Sequence, residues 1–266
     1  MKSKKWIIAG VLIIAAGFIC GGVGLKSYLD EKNAGKDYET LKEEITVTAL
    51  PSVSPEPEIT EDTIPETESE KEPVVVPVDF ETLTEKYPDV YAWITIPGTD
   101  IDYPVVQREE DNSYYLNHTV EGDKKIEGAI FTEDYNRKDF TDPNTVIYGH
   151  NMKNGSMFRQ LHNYDDRRFF QENREVLIYQ PGTIFHYQIF AAYVFDNRHL
   201  MLSYDFSNPD VYEAYIDSVF ERKGMESNID DSLEVTRDDK IITLSTCNGN
   251  DDQRYIVQAV LLSIEN

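Results

Sequence analysis

Eight short runs rich in Val, Ile, Tyr, Phe and Thr recur along this 266-residue chain after residue 79, and they constrain its fold more than any other feature. They are Val90–Ile96, Ile101–Val106, Gly128–Thr132, Thr145–Tyr148, Val176–Tyr179, Ile184–Phe195, Ile241–Thr246 and Tyr255–Ile264. β-Branched and aromatic residues suit a pleated, half-buried surface. Turn residues such as Pro97-Gly98 and Pro181-Gly182 separate the runs. Eight strands of this kind predict a mainly β domain forming a closed or nearly closed barrel, because closure removes exposed strand edges. Phe80–Tyr87 has helical spacing ahead of the strands and ends at Pro88. Two more helices are predicted within the domain, Met157–Phe170 and Pro209–Lys223. The second opens with Ser207/Asn208 as a cap and Pro209 in its first turn. It lies in a long excursion between the sixth and seventh strands, and such excursions commonly carry function.

Ahead of this domain the character changes twice. Met1-Lys-Ser-Lys-Lys5 precedes an uncharged run from Trp6 to Leu25, about 20 residues, the length of a membrane-spanning helix. The preceding lysines favour a cytoplasmic N-terminus. A cleaved signal peptide would have a shorter apolar region and a small-residue cleavage site. The expectation is therefore residues 1–27 as a single-pass signal anchor in the cell membrane, with the folded domain extracellular. Residues 28–78 read as a polar stalk, helical from about Tyr28 to Glu44, and then a Pro/Glu/Thr-rich spacer from Thr46 to Pro77. The spacer has too little apolar surface to offset its ordering entropy. Residues 79–266 form the folded domain.

A formal charge of -24 excludes nucleic-acid binding, which needs clustered Lys and Arg. The chain has two cysteines. Cys20 sits in the apolar run and Cys247 near the other end, so no disulfide framework is expected.

Cys247 ends the run Ile241-Ile-Thr-Leu-Ser-Thr246 and opens a polar loop, Asn248-Gly-Asn-Asp-Asp-Gln253. A lone cysteine is more often a buried structural thiol, but the polar flank points to a sheet rim that substrate can reach. Arg254 begins the next run, so the two residues face each other across one loop. A guanidinium there can favour a thiolate or steady an oxyanion, although a solvated strand-edge Arg looks the same in sequence. Five histidines are present. His118, His162 and His199 read as surface residues and His186 as a strand residue. Only His150 combines a strand end, a flanking Gly149 and a polar Asn151. A thiolate attacking a peptide carbonyl needs an imidazole to protonate the departing amine. The histidines lack tight metal-ligand spacing, and no metal or cofactor is expected. A tyrosine-phosphatase loop is excluded, because it needs a tighter Cys-to-Arg spacing and Asp251 and Asp252 would repel phosphate. A papain-like arrangement places the nucleophile before the His and starts a helix with it; here His150 precedes Cys247, which ends a strand.

These residues resemble the sortase family. Thr243-Leu-Ser-Thr-Cys247 is similar to its TLxTC signature, Arg254 to its essential arginine, and Val146-Ile-Tyr-Gly-His-Asn-Met152 to the segment carrying its catalytic histidine. The helix before the strands and the long one at Pro209–Lys223 resemble class B. The resemblance implies an eight-stranded sortase-type barrel, with an N-terminal helix and a long helix inserted between strands 6 and 7. It also implies His150, Cys247 and Arg254 as catalytic residues, and Asn112, Leu116, Tyr215, Ile216, Ser245 and Thr246 as substrate contacts. The implied activity is cleavage of a C-terminal sorting motif of secreted proteins through a Cys thioester, with transfer to a cell-wall or pilin amine. Sorting-signal peptides and that amine are the implied partners, with the N-terminal helix in the membrane. A cysteine endopeptidase that mainly hydrolyses and a non-enzymatic surface adhesin or scaffold are the competing readings.

Overall fold

The computed structural model describes residues 25–26, 28–46, 74–224, 226–250 and 252–266. All eight predicted runs are strands: β1 (Val90–Thr95), β2 (Asp102–Val106), β3 (Ile130–Thr132), β4 (Asn144–Tyr148), β5 (Glu175–Gln180), β6 (Thr183–Asp196), β8 (Ile241–Cys247) and β9 (Gln253–Glu265). Two-residue β7 (Asn228–Ile229), too short to show in sequence, pairs with β6 at Ala191 and Ala192. The order β5-β1-β2-β3-β4-β8-β9-β6 closes through a β5–β6 pairing, giving an eight-stranded barrel with β7 as an extra strand on β6. Pairing is antiparallel except for β2–β3 and β4–β8, which are parallel.

β8 up to Thr246, and β9 from Tyr255 to Val260, are buried on both faces, which explains why these stretches carry apolar residues on both alternating positions. Ile242 and Leu244 on β8, and Tyr255, Val257 and Ala259 on β9, join the main core with β1, β2, β3 and β5. Their alternate neighbours Ile241, Ile256 and Val260 join a second cluster under the helix Pro209–Phe220, through Tyr212, Tyr215, Ile216 and Val219. That helix begins as predicted: the Asn208 side chain accepts from the Asp210 N–H, and Pro209 needs no N–H partner.

The helix predicted at Met157–Phe170 is instead two elements. Phe158–Asp165 is a 3-10 helix, and Arg167–Glu172 is a short α-helix capped by Asp166, whose side chain accepts from the Phe169 N–H. Phe158, Leu161 and Tyr164 are fully buried. Their spacing of three is the 3-10 period, which stacks side chains on one side. The helix Phe80–Lys86 matches its prediction and is capped by Asp79.

The stretch read as a polar stalk contributes the helix Lys36–Ile45, which buries Tyr38, Leu41 and Ile45 against the domain. Thr46 and Val78 form an isolated bridge, and the Asp79 N–H donates to the Ile45 carbonyl at 2.9 Å. The two ends of the stretch expected as a spacer thus meet on the domain surface; residues 47–73 lie outside the described residues. The expected single-pass membrane placement is corrected: among the described residues no helix is long and apolar enough to cross a membrane. The run that prompted it, apart from Leu25, lies outside the described residues.

Candidate active site

The β4–β8 and β8–β9 pairings bring the three predicted catalytic residues to one groove. Cys247 on β8 is the direct partner of Arg254 on β9. On the other side of β8, Tyr148 of β4 pairs in parallel with Ser245, and the Gly149 N–H donates to the Ser245 carbonyl at 3.2 Å. β4 ends at Tyr148, and His150, two residues further on, lines the same groove as Cys247. Neighbouring paired strands lie about 4.8 Å apart, so Arg254 stands beside the thiol on one side, while His150 follows the end of the strand on the other. Side chains two apart share a face, so Tyr148 and His150, Ser245 and Cys247, and Arg254 and Ile256 all line one groove of about 310 Å³. Phe195 on β6, paired with Arg254, also lines it.

Cys247 is a free, exposed thiol, whereas every other residue of β8 is buried. Burial ends where the strand runs out into the loop. His150 Nε2 lies 2.6 Å from the Leu116 carbonyl. A carbonyl only accepts, so Nε2 carries a proton and Nδ1 is left as the nitrogen able to exchange one. Gly149, next to this histidine, has no room for a side chain: an added Cβ would sit 2.5 Å from Ile130 Cδ1 and 2.7 Å from Phe158 Cγ. Arg254 Nη1 donates to the Gln253 carbonyl at 3.0 Å, which ties the guanidinium to the strand start. Tyr148, on the groove face, has its phenol pushed far up by burial and by the nearby Glu133 carboxylate.

The predicted substrate contacts divide. Asn112 and Leu116 line the groove. Asn112 is locked to Asp134, donating to its carboxylate at 2.7 Å and accepting from its N–H at 2.8 Å. Ser245 lines the groove on the same strand face as Cys247. Thr246 borders the groove, but strand alternation turns its side chain to the opposite face, where its hydroxyl is buried. Tyr215 and Ile216 do not reach the groove. They are 2% and 3% exposed, packed in the core beneath their helix, and the Tyr215 hydroxyl accepts from Gln258 Nε2 at 2.9 Å. The inserted helix therefore covers the second core with the face that was expected to contact substrate.

Two histidines read from sequence as surface residues sit at the site. His199 lines the groove and contacts the Glu133 carboxylate at 2.9 Å. His162 Nε2 lies 3.0 Å from the Cys247 carbonyl, which also accepts from Asn151 Nδ2 at 2.8 Å. Their partners lie 66 and 85 residues away in the chain, so no local pattern marks either residue.

A Sortase domain family matches residues 94–262. Sortase B of Listeria monocytogenes is 37% identical over 179 residues, covering 66% of this chain and 70% of that protein. The X-ray structure of Clostridium perfringens sortase B superposes with a TM-score of 0.63 at 33% identity, covering 70% of this chain and all of that one. A Staphylococcus aureus sortase B–substrate complex gives a TM-score of 0.61 at 29% identity, over 69% of this chain and 84% of that one. With the closed barrel and the thiol groove, these likenesses establish that the chain belongs to the sortase family as a class B sortase, a cysteine transpeptidase.

Proposed function

We propose that Cys247 is the nucleophile, His150 the acid/base and Arg254 the cation that steadies the tetrahedral intermediate. The observation that carries this reading is one groove lined by an exposed thiol, an imidazole and a guanidinium, with Cys247 and Arg254 paired across β8 and β9 and His150 just past the end of β4. The substrate is a peptide sorting motif lying in the groove. The Cys247 thiolate attacks the threonine carbonyl of that motif, forming an S–C bond, and negative charge gathers on the carbonyl oxygen beside Arg254. Collapse breaks the C–N bond, and the departing amine takes a proton from His150. An incoming amine, from a cell-wall peptide or a pilin lysine, gives its proton to His150 and displaces the thiol, leaving a new amide.

The S. aureus relative described with a substrate supports a peptide-binding role for the matching groove. The test is mass spectrometry of the enzyme incubated with a library of sorting peptides, with and without an amine acceptor. An acyl adduct on Cys247 that resolves to amide when the acceptor is added supports the reading. Products that stay as free acid with acceptor present would make the enzyme a hydrolase.

A further inference from the structure

The β4–β8 ladder ends before the chemistry begins. Its last backbone bond at this end joins the Gly149 N–H to the Ser245 carbonyl. The next carbonyl on the same edge of β8 belongs to Cys247, and β4 has by then turned away. Side chains take over the pairing. Asn151 Nδ2 lies 2.8 Å from the Cys247 carbonyl, His162 Nε2 lies 3.0 Å from it, and the two nitrogens are 3.1 Å apart.

Each partner is itself held. Asn151 Oδ1 accepts from Arg159 Nη1 at 3.2 Å, which fixes the amide with Nδ2 toward the carbonyl. The His162 ring stacks on Tyr255, with centroids 4.7 Å apart and planes 29° apart. Tyr255 follows Arg254 on β9, so the ring under His162 belongs to the strand that carries the cation. Asn151 in turn follows His150. The fixture thus bonds the Cys247 backbone, contains the chain neighbour of His150 and stacks on the ring of the chain neighbour of Arg254. A strand-end carbonyl open to solvent needs no protein donor, since water serves it; two immobilised side chains on this one are more than hydrogen-bond satisfaction requires.

We propose that Asn151 and His162 are positioning residues that clamp the Cys247 carbonyl and so fix the thiol relative to His150 and Arg254. The inference rests on Cys247 being the nucleophile. A small misplacement of a reacting group costs rate much more than binding, so the loss belongs in kcat.

The test compares N151A, H162A, H162Q and the N151A/H162A double variant with wild type, using transpeptidation kinetics and the rate of Cys247 alkylation by iodoacetamide. Glutamine can place an N–H near the position of Nε2. One lost hydrogen bond corresponds to about 3- to 10-fold. N151A and H162A should each lower kcat by about that factor with little change in KM, and H162Q should recover most of the H162A loss. The double variant should lose less than the product of the two single losses, because both residues serve one acceptor. Wild-type kcat and alkylation rate in a folded double variant would overturn the proposal. So would H162Q no better than H162A, since a purely structural residue gives that result. Cys247→Ala run in parallel separates the two failures: activity retained there removes the nucleophile assignment itself, whereas activity lost there with an unaffected clamp removes only the clamp.

Discussion

Arg254 and Gly149 show how little substitution this site can accept. Arg254 offers a planar fork tied to the strand by its bond to the Gln253 carbonyl, and lysine keeps the charge but not the fork. Losing one such transition-state donor costs about 100- to 1000-fold in kcat. Arg254→Lys should fall in that range by steady-state transpeptidation, and near-normal turnover would take Arg254 out of the chemistry. Gly149→Ala would drive a methyl into Ile130 and Phe158. Overpacking of this kind costs about 1–3 kcal/mol, visible as a lowered Tm, and it should also displace the adjoining His150. His162 gives a pH signature. Burial lowers its pKa from the usual 6.5, more than the Cys247 carbonyl raises it. As pH falls below that usual value, the unfolded chain takes up the proton before the folded one, so stability falls through this window. Denaturation at several pH values should show that slope in wild type and a shallower one in H162Q. At this scale the sequence reveals Cys247 and Arg254 well, because one hairpin places them. His150 reaches them through a parallel pairing between residues 97 apart in the chain, Tyr148 and Ser245, so its strand-end position and the sortase resemblance had to identify it. Asn151 and His162 act through contacts that no local pattern encodes.

Among the elements, the helix Pro209–Phe220 was legible at its start and misleading in its role. Asn208 and Pro209 are a readable cap. Asn208→Ala should cost about 1 kcal/mol, measured as a shift in the denaturation midpoint with kcat unchanged. Tyr215 and Ile216 were expected to touch substrate, but the apolar stripe that made the helix readable is also the face it must bury. The 3-10 helix Phe158–Asp165 is the converse case. Its apolar residues at a spacing of three satisfy a helical pattern, while Asp166 restarts the chain as a new cap. His162, on this 3-10 helix, is the residue that contacts the Cys247 carbonyl of β8.

For the molecule as a whole, the sheet order β4-β8-β9 sets strands distant in the chain side by side around one groove. Pattern predicted the eight barrel strands, because each run is β-rich; their pairing order is non-local, and no single run encodes it. The charge of -24 gives the molecule a field that attracts a cationic acceptor and weakens with salt. Raising ionic strength should therefore increase KM for a cationic amine acceptor more than for a neutral analogue, read from acceptor titrations at several salt concentrations. The central claim is that one thiol at the end of β8 carries the acyl group between donor and acceptor. Intact-mass and peptide-mapping mass spectrometry during turnover of a sorting peptide tests it most directly. A thioester on Cys247 that disappears when amine is added, and that is absent in a folded Cys247→Ala variant without activity, is the predicted result. Transpeptidation retained by Cys247→Ala, or an acyl group mapped to another residue, would contradict the account.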